Sequence, residues 1–260
     1  MDPLLVWIIA FTALGGALSV LAASGVLLLP PGVLGRALPS LVSFAIGAML
    51  GAAFLGLLPH ALEGAGDEAH AVTFTVLLGL LVFFLLEKMV IWRHCHADGC
   101  EVHGIDLGRV QEKAAGNLIL IGDAIHNLVD GMLIAAAFLT DVHLGVVTAV
   151  AVIAHEIPQE LGDFAILLHS GFSKAKALLY NLLVSVTTIV GGVVAYFSLA
   201  LAEAVVPYVL AVAASSFIYI AVADLIPGLH RRPEVSATVQ QVTLIALGIA
   251  VIYVMHSTLH

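Results

Sequence analysis

Charge is what this chain lacks most. Only 10% of its 260 residues are Asp, Glu, Lys or Arg, while 61% are hydrophobic. Soluble domains carry about 25% charged residues, so a water-soluble globular protein is excluded. Cysteine is scarce as well. Cys95 and Cys100 share one polar loop and are too few for a disulfide framework. No GxxxxGK[ST] stretch occurs, so no P-loop hydrolyses ATP here. Nor does any pattern support a glycosidase or a serine hydrolase. Met1-Asp2-Pro3 lacks the positive start of a signal peptide, and the apolar run from Leu4 to Leu29 is too long for one. That run reads as a retained first span.

What the chain has instead is apolar runs of membrane-crossing length. They fall at 4–29, 38–60, 71–93, 115–139, 143–169, 174–200, 206–228 and 239–258. A spanning helix needs about 20 residues. A transmembrane strand needs about 10, with alternating polarity, and these runs do not alternate. The sequence therefore predicts an all-α integral membrane protein, a single transmembrane domain of eight helices. The longest connection follows span 3, a His/Cys loop over 94–113.

The basic residues orient the spans. Arg36 lies between spans 1 and 2; Lys88, Arg93, Arg109 and Lys113 flank the connection from 3 to 4; Lys174 and Lys176 lie between 5 and 6; Arg231 and Arg232 lie between 7 and 8. All 9 fall on one side. Asp2, Glu63, Asp67, Glu68, Asp141 and Glu203 lie on the other, with no Lys or Arg. Lys and Arg mark the cytoplasmic face, so both termini are expected outside. An acidic outer face raises the local cation concentration, or merely completes the topology signal.

Two spans carry ionisable residues where each costs roughly 3 kcal/mol or more. Span 4 reads His126-Asn127-Leu128-Val129-Asp130-Gly131, with Asp123 one turn earlier. Span 5 reads His155-Glu156-Ile157-Pro158-Gln159-Glu160, then Asp163. His126 and Asp130 share a helix face, as do His155 and Gln159, each pair four residues apart. Glu156, Glu160 and Asp163 form a second stripe. Facing one another, the two helices would converge imidazole, carboxylate and amide groups. A mixed N/O set suits a divalent first-row metal. The lack of thiols argues against Cu(I), and the lack of an all-carboxylate cage against Ca²⁺ or Mg²⁺. A single intramembrane His also serves as a helix–helix hydrogen-bond partner. Repeated spacing on adjacent spans favours a site. Pro158 frees a carbonyl near Ala154 and is expected to kink span 5.

An enzyme is the competing reading. His155-Glu156-x-x-Gln159 is one residue from the HExxH of zinc proteases, and Asp130-Gly131 resembles the Asp-Gly of intramembrane metalloproteases. Gln159 is a poor zinc ligand, Pro158 interrupts the presenting helix, and the Asp-Gly precedes the HExx where those proteases have it after. The expectation is a transporter, not an enzyme, with no catalytic cofactor.

HNLVDG followed by HEIPQELGDFA resembles the paired signatures of the ZIP metal transporters, closest to the branch reading HNxxDG and HExPHExGDFA. Leu57-Leu58-Pro59-His60, Phe83-Phe84-Leu85-Leu86-Glu87-Lys88 and Asp224-Leu225-Ile226-Pro227 resemble the same branch in spans 2, 3 and 7. The resemblance implies an eight-helix ZIP-like bundle with both termini extracytoplasmic. It implies passage of Zn²⁺, and of Fe²⁺, Mn²⁺ or Cd²⁺, into the cytoplasm, with His126, Asn127, Asp130, His155, Glu156 and Gln159 as ligands. It further implies that spans 1, 4, 5 and 6 move as a unit against 2, 3, 7 and 8, within a homodimer. Nucleic acid and ATP are not expected partners. Asp123, Glu160, Asp163, Glu87 and Asp224 are candidates for the pathway or a second site. His94, Cys95, His96, Cys100 and His103 read, by composition, as a cytosolic metal-receiving loop or as a solvated one. The alternatives to a simple carrier are a metal-selective channel and a proton-coupled carrier with the same lining.

The chain departs from the branch at informative places. Gln159 stands where a His is usual, and Ala52 and Gly56 where span 2 often has Asp and His. Span 6 holds no acid; Ser185, Thr187 and Thr188 are its polar candidates. A full second metal site of the family's kind is therefore in question. The expected location is the plasma or inner membrane, and the absence of an ectodomain looks prokaryotic.

Overall fold

The computed structural model describes residues 2–26, 28, 30–95, 107–199, 203–230 and 232–259. The side chains of 31, 34–36, 87, 89–95, 107–119, 169, 203, 224, 258 and 259 are not among those described. Of the residues singled out above, His96, Cys100 and His103 therefore lie outside the described residues, as do the side chains of Glu87, His94, Cys95 and Asp224.

Every regular element among the described residues is helical. Eight helices are long and apolar enough to cross a membrane: Pro3–Val26, Ala37–Gly64, Gly66–Leu86, Leu120–Thr140, Val142–Leu168, Lys174–Leu199, Val206–Leu229 and Val235–Ser257. They are numbered here as spans 1 to 8. In hydrocarbon no water satisfies a free N–H or C=O, so a run of this length is driven to helix.

Polar residues at the ends do the capping. Asp141 is extended and accepts the N–H groups of His143 and Leu144, both at 2.9 Å, which sets where span 5 starts. Asp2 does the same for span 1 through the Leu4 N–H at 2.9 Å. It also accepts the Tyr196 hydroxyl at 2.5 Å, tying the start of span 1 to the end of span 6. Those two hydrogen bonds, the Tyr196 one foremost, hold the Asp2 carboxyl below its ordinary value.

Two features were not legible in the sequence. The helix carrying span 5 runs without a break from Val142 to His169, through Pro158. Pro158 therefore leaves that helix able to present ligands four residues apart. Three spans also contain π-helical stretches, at Leu14–Leu18, Ala52–Leu57 and Ile220–Leu225. Such insertions gather at functional positions.

Small residues decide which spans touch. Span 4 packs closest on span 6 and span 2 closest on span 8, with spans 3 and 7 paired and spans 1 and 5 completing the first group. At Gly131 an added Cβ would lie 1.8 Å from the Thr188 carbonyl oxygen, and at Gly191 2.0 Å from that of Leu128. Spans 4 and 6 thus meet backbone to backbone, as small residues allow in membranes. The core between the groups is apolar, with Phe138, Leu144, Leu57, Leu210 and Phe217 buried.

Substituting Gly191→Val should cost about 1–3 kcal/mol through overpacking, because backbone cannot yield as a side chain can. Gly122→Ala, where an added Cβ meets nothing within 4 Å, is the matched control. Thermal unfolding of the detergent-solubilised protein checks this: a lowered midpoint for Gly191→Val and an unchanged one for Gly122→Ala are expected.

Candidate metal site

Spans 4 and 5 are joined by the short turn at Asp141 and run antiparallel, which brings their ligand stripes face to face. His126, Asp130, His155 and Glu156 each offer one atom, and these atoms all lie within 4.8 Å of one another. His155 Nε2 is 3.0 Å from Asp130 Oδ2 and 3.3 Å from His126 Nε2. His126 Nε2 is 3.4 Å from Glu156 Oε1 and 3.6 Å from Asp130 Oδ2. His155 Nε2 and Glu156 Oε1 are 3.8 Å apart.

Those separations have a simple meaning. An ion holding four ligands tetrahedrally at about 2.0–2.1 Å spaces them about 3.3–3.4 Å apart. The measured edges scatter about that value.

The proton positions sharpen the point. His155 Nδ1 lies 3.1 Å from the Ala151 carbonyl oxygen, one turn back on its own helix. A carbonyl only accepts, so that contact places the imidazole proton on Nδ1. In the neutral ring the Nε2 lone pair then faces the Asp130 carboxylate oxygen and the other imidazole. Two lone pairs at 3.0 Å repel unless a cation lies between them. Orientation of a ligating imidazole by a carbonyl on its other nitrogen is the usual second layer of a metal site. Phe217 of span 7 packs edge-on against His155 at 5.8 Å between centroids and shields it.

Burial is uneven. The Asp130, His155 and Glu156 side chains are at most 1% exposed, whereas that of His126 is 23% exposed. Toward the Asp141 turn the spans are closed by buried Ile134, Phe138, Leu144 and Val147. Toward the other end Ile121 and Ile125 are 59% and 60% exposed.

The amides sit beside the cluster. Asn127 donates through Nδ2 to Asp123 Oδ1 at 2.9 Å, and its Oδ1 accepts the Thr188 hydroxyl of span 6 at 2.6 Å. Gln159 donates through Nε2 to the same Asp123 oxygen at 3.4 Å. Asp123 therefore fixes which way both amides face: each NH₂ is turned to Asp123. This explains an acid one turn before His126, for which spacing alone gave only a pathway role.

Glu160 is buried one turn beyond Glu156, and Asp163 is half-buried beyond that. Neither joins the four-residue cluster. In span 6 Thr188 reaches Asn127, while Thr187 donates to the Ala124 carbonyl at 2.9 Å and Ser185 to that of Leu182 at 3.0 Å. Asn181, fully buried one turn from Ser185, was missed from the sequence. Its signal was an amide inside an apolar run.

Known proteins resemble this chain over most of its length. Residues 93–256 match the family described as ZIP zinc transporter. Zinc transporter zipt-7.2 of Caenorhabditis elegans is 33% identical over 84% of this chain and 58% of its own length. Zinc transporter ZIP4 of Homo sapiens is 31% identical over 76% and 39%, and ZIP13 of Homo sapiens 30% identical over 82% and 69%. The chain thus spans 39% to 69% of the length of these relatives. The match over most of the chain and eight membrane-length helices leave one conclusion: the chain belongs to the ZIP zinc transporter family.

Proposed function

We propose that the chain carries divalent transition-metal ions across the membrane into the cytoplasm, Zn²⁺ foremost, with Fe²⁺, Mn²⁺ and Cd²⁺ as further substrates. The observation that carries this reading is the approach of the His126 and His155 Nε2 atoms and the Asp130 and Glu156 oxygens to tetrahedral spacing. Relatives named as zinc transporters support the substrate class. They favour transport over the HExxH protease reading, as does Gln159, whose amide is turned to Asp123.

In this reading both termini face outside, and the ion arrives from the acidic end. It sheds water onto His126, Asp130, His155 and Glu156. Two carboxylates neutralise a divalent charge in low dielectric, and the imidazoles favour first-row metals over Mg²⁺. Gln159 and Asn127 complete the shell through their carbonyl oxygens. Release follows toward the basic end, past Asp163. Binding must stay weak enough for release.

Burial favours a carrier over an open channel. The half toward the Asp141 turn is closed by Phe138 and Leu144, while His126, on the other side of the cluster, keeps 23% of its side chain exposed. Movement of spans 1, 4, 5 and 6 against 2, 3, 7 and 8 would exchange the two accesses. The apolar faces of spans 3 and 8 are left for lipid or for a second copy in a homodimer.

Uptake into proteoliposomes tests the assignment across Zn²⁺, Fe²⁺, Mn²⁺ and Cd²⁺. Asp130→Ala should lower transport at least ~10-fold; unchanged uptake sinks the site. Gln159→His should raise Zn²⁺ uptake relative to Mn²⁺, since it replaces an amide oxygen by an imidazole nitrogen.

Acid should weaken binding. Protons compete for the same nitrogen and oxygen lone pairs that hold the metal, so affinity falls as pH drops through the imidazole range. Titration calorimetry with Zn²⁺ from about pH 7.5 to about pH 5.5 reads this directly. A flat profile rules out imidazole ligands.

A further inference from the structure

Among the described residues, no Lys or Arg pairs with the five acids of spans 4 and 5 near the cluster, Asp123, Asp130, Glu156, Glu160 and Asp163. Every one of the 9 basic residues lies at or beyond the ends of the spans. One divalent ion at the cluster balances Asp130 and Glu156 and leaves the other three carboxylates uncompensated.

Glu160 is the sharpest of these. It is 1% exposed, and neither carboxylate oxygen has a hydrogen-bond partner. Across from it on span 6, Asn181 is 0% exposed, and neither its amide nitrogen nor its amide oxygen is paired. The two side chains lie close enough to interact, yet form no well-aligned hydrogen bond. A second oxygen of Asp123, Oδ2, is likewise buried and unpartnered. Buried polar groups are almost always paired, and orphans mark a missing water or ion. An acid and an amide, both orphaned and facing each other across two spans, are more than a cluster of acids.

We propose that a second cation position, distinct from the four-residue cluster, lies between spans 5 and 6, where the Glu160 carboxylate and the Asn181 amide oxygen hold a hydrated divalent ion. Glu160 is one turn from Glu156 on the same helix, a step of about 6 Å along its axis. An ion leaving the cluster thus meets the next carboxylate without crossing bare hydrocarbon. The carboxylates here do not close into a cage, since among the described residues only the His126 cluster gathers three or more such ligands. Water completes the shell. The donors are all oxygen, so this position is harder than the imidazole cluster and favours Mn²⁺ over Zn²⁺ relative to it.

The proposal rests on the transport reading, and its test keeps the two apart. The purified protein in lipid nanodiscs is dialysed against Mn²⁺ or Zn²⁺, and bound metal is counted by mass spectrometry. The wild type should bind a second ion, more readily seen with Mn²⁺. Glu160→Gln and Asn181→Leu should each weaken that Mn²⁺ binding at least ~10-fold while keeping the Zn²⁺ of the cluster, which also shows the variants are folded. His155→Ala should do the reverse, losing Zn²⁺ and keeping Mn²⁺. A wild type that binds one ion only, or Glu160→Gln and Asn181→Leu variants that bind as the wild type does, overturns the second position. A His155→Ala variant that keeps its Zn²⁺ overturns the cluster assignment alone.

Discussion

Carboxylates in hydrocarbon must be neutralised, and among the described residues Asp130 and Glu156 have imidazoles but no Lys or Arg beside them. Asp130 and Glu156 are buried beside two imidazoles whose Nε2 atoms point at the same spot. The Nδ1 contact of His155 with Ala151 leaves no proton on its other nitrogen unless the ring is charged. A transient cation is the economical solution, and the rest of the architecture keeps that solution available. Phe217 shields the cluster from one side, and the backbone contact of Gly131 with Thr188 holds Asp130 where it is.

The same logic accounts for the amides. Free to rotate, Asn127 and Gln159 would offer NH₂ or carbonyl oxygen to the site with similar ease. A single Asp123 oxygen accepts both NH₂ groups, and Thr188 closes the chain from span 6. Orientation is thus set outside the cluster, by groups that need never touch an ion. Gln159, where the family's branch usually has His, is thus an amide whose NH₂ is turned to Asp123.

Much of this was legible in the sequence, for physical reasons. Membrane-length apolar runs leave the backbone only one way to satisfy itself, so eight helices follow from hydropathy alone. Ligand spacing of four residues puts His126 with Asp130 because a helix turns every 3.6 residues. What could not be read was set by neighbours distant in sequence. Pro158 is carried inside a continuous helix because tertiary packing supports the turn around it. The approach of Glu160 to Asn181 depends on how span 6 sits against spans 4 and 5, and at Gly191 span 6 meets the Leu128 backbone of span 4. The π-helical stretches carry no reliable sequence mark; Gly15-Gly16 and Gly51 to Gly56 are at most permissive.

Those stretches have a consequence for the chain's history. A π turn accommodates one residue more than the α-helix around it. Ala52, Ala53, Gly56 and Leu57 lie within that turn and are all buried. Removing a single residue from Ala52–Leu57 would relax the turn to α and leave the faces presented on either side of it nearly unchanged. Insertions and deletions, usually exiled to loops, can here be absorbed inside the membrane, with residues on both sides of that turn keeping their faces.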